Sequence, residues 1–349
     1  MTSDATLKIG ILGASGYTGA DLVRLLAVHP NADLRVLTAN QHAGKPMRSV
    51  YPHLGALDLP DLVSWEQADW SALDVVFCGL PHGTTQEIVA TMPRGLKVVD
   101  LSADFRLRDP KVYAQWYGHT HRALDLQEEA VYGLTELNRA AVKSARLVAC
   151  PGCYPTAVLL SLVPLVEQRL IGSEELIIDA KSGVTGAGRK VAQNLLFAEV
   201  GEGIHPYGIA SHRHSPEMEQ EIGRAAGVPV TVSFTPHLMP MNRGELVTCY
   251  VRMERGQRAE DLRSALAKRY DGEPFVRVLP EGESPATRNV RGSNYAVMGV
   301  FADRIPGRAI VICAIDNLVK GSSGQAIQNM NLMFDLPERT GLTQQPLFP

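Results

Sequence analysis

The sequence predicts an α/β protein of two domains, a strand–helix repeat followed by an α+β half with a mixed or antiparallel sheet. Three observations carry that expectation. Apolar strand-length runs alternate with helical patterns over roughly the first 149 residues, the texture changes near residue 150, and a glycine run joins the first strand to the first helix. Alternation of this kind builds a parallel sheet with helices on both faces, and 349 residues suit two domains. With 45% hydrophobic and 20% charged residues the composition is globular. The charge of −3, from 34 Lys+Arg against 37 Asp+Glu, offers no electrostatic footprint for nucleic acid or an anionic membrane surface.

The first domain reads in order. Leu7–Leu12 is a short apolar run, and Gly13-Ala14-Ser15-Gly16-Tyr17-Thr18-Gly19 follows it. Leu22, Val23, Leu25 and Leu26 then recur at helical spacing. Leu34–Thr38 is the second strand, Asp74–Cys78 a further one, Thr85–Thr91 a helix and Lys97–Asp100 another strand. Leu147–Ala149 closes the repeat. Beyond it, Tyr154–Leu170 is expected as a long helix. Strands are expected at Leu176–Ala180, Val230–Thr235, Glu245–Met253, Phe275–Leu279 and Ala309–Ile315, with helices at Pro216–Ala226 and Ala259–Tyr270. The tail from Gly321 to Phe334 is helical again, with Ala326, Ile327, Met330 and Met333 on one stripe. The expected division is therefore 1–149, completed by the C-terminal segment 321–349, and 150–320.

No apolar run approaches the roughly 18 residues that span a bilayer; the longest, Ala157–Val166, is broken by Ser161 and Pro164. The first six residues lack a basic start and an apolar stretch, so no signal peptide is expected. Five cysteines in such a chain point to reduced thiols and a cytoplasmic setting.

A Gly-x-x-Gly-x-x-Gly turn between strand and helix lets main chain approach a pyrophosphate, which then meets free N–H groups at the positive helix end. Gly13, Gly16 and Gly19 fit that use, with Ser15, Tyr17 and Thr18 between them, so the first half is expected as a Rossmann-type dinucleotide-binding domain. An NAD site usually places an acid at the end of the second strand for the ribose 2′-hydroxyl. Thr38 to Lys45 holds no acid and offers polar groups and a lysine, which favours NADP. Asp33 is the carboxylate that a shift of register would bring into play.

Cys150-Pro151-Gly152-Cys153-Tyr154-Pro155 lies between a strand and a helix. Zinc would need two further ligands, and Cys78, Cys249 and Cys313 stand alone in apolar runs that read as core, so no metal is expected. Pro155 suits the first helical position, which puts Cys153 at the helix start, where the dipole and free N–H groups lower a thiol pKa from about 8.5. Cys153 is the expected nucleophile. Two readings of Cys150 stay open: a small apolar filler, or a resolving thiol that forms a Cys150–Cys153 disulfide on mild oxidation. Ser211-His212-Arg213-His214-Ser215-Pro216-Glu217 supplies the partner. With Ser215 expected as N-cap and Pro216 at N1, His214 precedes a helix whose positive end favours neutral imidazole, the form of a general base. His212 shares its face if the segment is extended, and Arg213 points elsewhere.

The chain resembles the N-acetyl-γ-glutamyl-phosphate reductases, which are similar in fold to aspartate-semialdehyde and glyceraldehyde-phosphate dehydrogenases. The resemblance runs through Gly13–Gly19, Asp100–Arg106, Pro151–Thr156, Lys181–Arg189, His212–His214, Pro236–Gly244, Val290–Asn294 and Asp316–Gly321. It implies NADPH-dependent reductive dephosphorylation of an acyl phosphate to a semialdehyde, in arginine biosynthesis. Cys153 would form a thioester, with His214 as base and then acid and Ser182 orienting the carbonyl. It further implies that Ser102 and Arg106 anchor phosphate. Gly188 and Asn317 would join the cofactor site, Asn317 holding the nicotinamide amide. Arg213, Arg243 and Arg291 are the candidates for the substrate's α-carboxylate. The second half would also dimerise, giving a homodimer or homotetramer. Against this stand an aspartate-semialdehyde dehydrogenase, a reductase of a carrier-protein-linked acyl phosphate, and a catalytically silent NADP-sensing protein.

Overall fold

The computed structural model describes residues 6–348, which divide into two compact units, 6–151 with Ser322–Thr343, and Gly152–Gly321 with 344–348. The tail is thus divided, whereas the sequence suggests that all of 321–349 completes the first domain. The Leu347 N–H donates to the Arg291 carbonyl at 2.8 Å and ties the last residues to the second unit. Among the described residues no helix is long and apolar enough to cross a membrane.

The first unit runs β1 (Leu7–Leu12), α1 (Tyr17–Leu26), β2 (Ala32–Thr38), α2 (Met47–Val50), β3 (Leu62–Val63), β4 (Val75–Cys78), α3 (Thr85–Thr91), β5 (Lys97–Asp100), α4 (Pro110–Tyr117), α5 (Leu124–Glu129), β6 (Val131–Tyr132), α6 (Thr135–Ser144) and β7 (Leu147–Ala149). Its seven strands lie in the order β3-β2-β1-β4-β5-β7-β6, every pair parallel. Strands buried on both faces explain the unbroken apolar runs of β1 and β4.

The second unit holds α7 (Cys153–Glu167), β8 (Leu176–Gly183), α8 (Phe197–Val200), β9 (His205–Pro206), α9 (Ser215–Ala226), β10 (Val232–Met239), β11 (Glu245–Arg252), α10 (Ala259–Arg269), β12 (Val276–Val278), β13 (Ala296–Ala302) and β14 (Arg308–Ile315). Its sheet is mixed, in the order β12-β13-β14-β11-β8-β10-β9, with β8/β10 and β12/β13 parallel and the other pairs antiparallel. β13 and the two-residue β9 are the strands of this unit that the sequence does not pick out; for β13 the reason is burial. Its first five residues are all buried, so no polar residue marks its period.

Helix α7 is the core of this unit, with thirteen of its fifteen residues buried. Pro164 sits inside it and has no N–H for the carbonyl of Leu160 four residues back. The Tyr270 hydroxyl donates to that carbonyl at 2.6 Å, so the freed acceptor is satisfied from outside the helix. After β14 the chain makes a π-helical turn, Val319–Ser323, and then α11 (Gly324–Met333), which returns to the first unit. That helix starts three residues later than the Gly321 at which the sequence places the helical tail. It is nearly all buried, and its polar side chains serve neighbouring chain: Gln325 and Asn329 both donate to the Gly133 carbonyl, at 3.2 and 2.8 Å.

Candidate active site

The first unit builds a cradle at the end of β1. Gly13 has φ +88°, and a Cβ there would meet the Gly79 carbonyl oxygen at 2.7 Å. On Gly19 a Cβ would fall 2.5 Å from the Gly13 oxygen, so this glycine brings helix against strand. Gly16 is different. It caps α1 with an ordinary φ of −80°, and a Cβ would find its nearest neighbour at 3.6 Å. Nothing within the fold demands glycine there, whereas a ligand lying on the main chain does, and no side chain caps the ten-residue helix behind it. These residues fit a dinucleotide pyrophosphate. Thr38 is buried and braces the cradle, its hydroxyl accepting from the Gly13 N–H at 3.1 Å and its carbonyl from the Ala14 N–H at 2.8 Å. The Ser15 carbonyl accepts from the Tyr51 hydroxyl, and Thr18 Oγ1 pairs with Ser322 Oγ. Lys45 is exposed. Asp33 pairs with Lys8 at the start of β2 and bonds Arg35. That is about 16 Å of strand from Thr38, too far to serve a ribose.

Ser102 and Arg106, also in the first unit, both bond to neighbouring chain. Ser102 donates from N and Oγ to the buried Asp100, and Arg106 donates to the carbonyls of Cys150 (2.7 Å) and Leu101 (2.9 Å). Burial first, then the neighbouring Asp104, pushes the Asp100 carboxyl up to about 7. The bonds of Ser102 and Arg106 tie them to the ends of β5 and β7. Cys150 is equally enclosed. Its sulfur accepts from Asn329 Nδ2 at 3.5 Å, and burial pushes its thiol up to about 12. A resolving thiol must ionise, so the redox reading of Cys150 gives way to the packing one.

The second unit assembles the reactive group. Helix α7 begins at Cys153 itself, so the thiol stands at the first helical position and Pro155 at the third, where a missing N–H still costs no intrahelical bond. Cys153 is part-exposed; the other four cysteines are buried. Gly152 caps the helix, and a Cβ on it would lie 2.4 Å from His214 Nε2 and 2.6 Å from Cε1. The imidazole therefore rests on the main chain immediately before the thiol. His214, not Ser215, is the N-cap of α9, and its side chain makes no capping bond. His212 steadies it: Nδ1 accepts from the His214 N–H at 3.1 Å, and the two rings lie 4.8 Å apart. Burial, and then Arg213, hold His212 down to about 4, a neutral ring. The segment is a turn rather than extended, with His214 at φ −83° and ψ −13°, and within it Arg213 is exposed. Tyr154 packs edge-on to both rings and its hydroxyl meets that of Tyr207 at 3.0 Å.

Two carboxyls join that the sequence did not single out. Glu217, one turn into α9, accepts from the Gly152 N–H at 2.8 Å while almost wholly buried. Glu245, at the first position of β11, is fully buried and faces Ser182 of β8 across the sheet. Neither has a local signature. Ser182 is buried, with its hydroxyl on the Gly183 carbonyl, and Gly186 is its close neighbour. Asn317 commits its amide inside this unit, accepting from the Gly244 N–H (2.9 Å) and donating to Thr185 Oγ1 (3.0 Å). Gly188 has φ +81° in an exposed loop. Of the arginines, Arg243 is half-buried and held 3.5 Å from the fully buried Asp316, which also accepts from the N–H groups of Gly292, Leu318 and Val319. The motif around Asp316 thus fixes both Arg243 and the turn whose Gly321 approaches Cys153; a Cβ on Gly321 would fall 2.7 Å from that of Cys153. Among the described residues no cluster of three His, Cys, Asp or Glu is placed to hold a metal ion.

Residues 8–145 match the model of a semialdehyde dehydrogenase NAD binding domain, and residues 153–317 that of a semialdehyde dehydrogenase dimerisation domain. The chain is 61% identical to an N-acetyl-γ-glutamyl-phosphate reductase of Rhodospirillum rubrum, over 98% of this chain and 99% of that protein. It is 60% identical to a probable chloroplastic N-acetyl-γ-glutamyl-phosphate reductase of Arabidopsis thaliana, over 98% and 86%. Among solved structures it shares its fold with an aspartate semialdehyde dehydrogenase II of Vibrio cholerae (TM-score 0.72, 16% identity, 95% of this chain and 99% of that one). An NADP-containing aspartate semialdehyde dehydrogenase of Candida albicans is similar at TM-score 0.67 and 18% identity, over 95% and 99%.

Proposed function

This chain belongs to the N-acetyl-γ-glutamyl-phosphate reductase family of semialdehyde dehydrogenases, and from that premise we propose that it reduces N-acetyl-γ-glutamyl phosphate to N-acetylglutamate 5-semialdehyde with NADPH, a step of arginine biosynthesis. The observation that carries the catalytic assignment is the His214 imidazole lying on Gly152, next to a helix-start thiol.

Cys153 attacks the acyl carbonyl. A carbon–sulfur bond forms, the bond from carbon to the phosphate oxygen breaks, and inorganic phosphate leaves with the electron pair, giving a thioester. His214 takes the thiol proton, and at the later stage returns it as the carbon–sulfur bond of the thiohemiacetal breaks and the aldehyde is released. Phosphate is a good leaving group already, so the proton matters most at that later stage. The bound nicotinamide supplies hydride chemistry. Gly13, Gly16 and Gly19 would hold its pyrophosphate, with Ser15, Tyr17, Thr18 and Thr38 lining the same cradle. Arg243, fixed by Asp316, is the cation we assign to the α-carboxylate. Ser182 is the group we assign to orienting the carbonyl.

NADP is favoured over NAD because no acid stands between Thr38 and Lys45, while Asp33 lies at the far end of β2. The dimerisation-domain match supports a homodimer or homotetramer, and five free cysteines suit a reducing, cytoplasmic compartment. The test is phosphate-dependent reduction of NADP by N-acetylglutamate semialdehyde, run beside aspartate semialdehyde and beside NAD. Turnover is expected with the first aldehyde, with NADP favoured at least about tenfold in kcat/KM, a difference of about 1.4 kcal/mol that one phosphate contact supplies. Equal turnover of both aldehydes overturns the substrate, and equal use of both nucleotides overturns the cofactor.

A further inference from the structure

The topology of the first unit marks a crevice. Chain order runs from β1 outward to β2 and β3, then returns to the other side of β1 for β4 and β5. The reversal lies between β1 and β4, whose ends pair at Leu12 and Cys78. In open parallel sheets a ligand lies at such a point, outside the carboxyl ends of the strands. The loop after β1, Gly13–Gly19, is one wall of the crevice. The loop after β4, Gly79-Leu80-Pro81-His82-Gly83-Thr84, is the other. The two are in close approach, since a Cβ on Gly13 would meet the Gly79 oxygen at 2.7 Å and Leu80 Cδ2 at 3.2 Å.

The second wall is held by a third segment. Asp104, 0% exposed, accepts from the Gly83 N–H at 2.6 Å, the Thr85 N–H at 2.9 Å and the Tyr113 hydroxyl at 2.9 Å. Thr84, the N-cap of α3, makes no side-chain capping bond. A loop that only had to join β4 to α3 could be closed by that threonine. Instead two main-chain N–H groups converge on one buried carboxyl from 21 and 19 residues away. Asp104 is itself tied to the sheet: its N–H donates to Ser102 Oγ at 3.1 Å, and that hydroxyl donates to Asp100, the last residue of β5, at 2.8 Å. Its carbonyl accepts from His121 Nε2 at 2.7 Å, and the neighbouring Ala103 N–H donates to His82 Nδ1 at 3.1 Å.

We infer, on the reading of the glycine cradle as a dinucleotide site, that Asp104 is a positioning residue for the bound cofactor: its two main-chain bonds set Gly79–Thr84 at the distance from Gly13–Gly19 that the nucleotide needs. A loop left to itself samples many conformations, and fixing it before binding removes that ordering cost from the affinity. Asp104 acts through the loop and does not touch the nucleotide.

The experiment measures NADPH affinity by fluorescence titration without substrate, beside thermal melts, in wild type, Asp104→Asn and Tyr113→Phe. Asparagine offers one acceptor oxygen where the carboxyl has two, so in either orientation one of the two loop N–H groups loses its partner. Tyr113→Phe removes a bond to the same carboxyl and leaves both loop bonds in place. Both variants are expected to melt below wild type. Only Asp104→Asn is expected to bind NADPH more weakly, by about tenfold, with KM for NADPH raised and kcat at saturating nucleotide unchanged. An unchanged affinity, or equal weakening in both variants, overturns the inference and leaves Asp104 a stabilising residue only. If Asp104→Asn fails to fold, hydrogen exchange of the wild type decides. The Gly83 and Thr85 amides are expected to exchange slowly before NADPH is added, and residues 79–85 more slowly still with it. Free exchange of those two amides without NADPH, or exchange that NADPH leaves unaltered, overturns the inference. A wild type that binds no NADPH at all overturns the dinucleotide reading itself, and the inference with it.

Discussion

Gly152 and His214 are in van der Waals opposition: a Cβ on the glycine would lie 2.4 Å from Nε2 of the imidazole. Glycine is required here for the closeness of that ring, since Gly152 itself has an ordinary extended conformation, φ −64° and ψ 159°. The Gly152 N–H is tied to Glu217, so the start of α9 supplies both the ring and the acceptor that hold the α7 cap. The chemistry and the packing thus share one contact.

Gly152→Ala is expected to fold and to lose activity. A methyl group at that distance forces the ring off its platform, and a displacement of about 1 Å in a catalytic group costs about 100-fold in kcat. Steady-state kinetics beside a thermal melt checks it. A variant with wild-type kcat would show that the imidazole does not work from this position.

Cys153→Ser is expected to abolish turnover while NADPH binding, followed by fluorescence titration, persists. Cys150→Ser is expected to keep most activity, because its sulfur is enclosed against Asn329. Mild peroxide should inactivate wild type and Cys150→Ser alike, with equal recovery in dithiothreitol. Recovery confined to the wild type would restore the redox role that the buried thiol argues against.

Tyr270→Phe removes the hydroxyl that serves the Leu160 carbonyl opposite Pro164. The acceptor is buried in α7 and would be left unsatisfied, a cost of about 1–3 kcal/mol. Denaturant unfolding should show that loss, with kcat unchanged at low temperature. An unaltered midpoint would mean that the helix closes the gap by itself.

His212 is held down to about 4, chiefly by burial and then by Arg213. The unfolded chain takes up a proton near the ordinary imidazole value of about 6.5, so between these values the unfolded state binds more protons and stability falls as pH falls. The contribution is complete above about 6.5 and lost by about 4, amounting to about 3 kcal/mol as an upper bound. His212→Asn keeps an acceptor for the His214 N–H without titrating, and should flatten the fall of Tm across that window. An equally steep fall in the variant would place the effect on other groups.

Much of the fold and the core of the site are legible in the sequence because their signals are local. The glycine cradle, the apolar runs of β1 and β4, the helix start at Cys153 and the run of His212, Arg213 and His214 each lie within a strand or a turn. Boundaries shift by a residue or a few: His214 takes the cap expected of Ser215, and α11 begins at Gly324 behind a π-helical turn. What only the tertiary structure decides is who stands beside whom across long stretches of chain. Glu217 reaches Gly152 over 65 residues, and the β11 register sets Glu245 opposite Ser182. A single glutamate in a strand or helix carries no mark of such a partner. For Ser102, Arg106 and Asn317, whose roles come from the family resemblance, the tertiary structure adds the neighbours: Asp100 takes the Ser102 hydroxyl, the Cys150 carbonyl takes Arg106, and the Gly244 N–H and Thr185 meet Asn317. Such partners come from distant chain because an interior polar group left unsatisfied is costly.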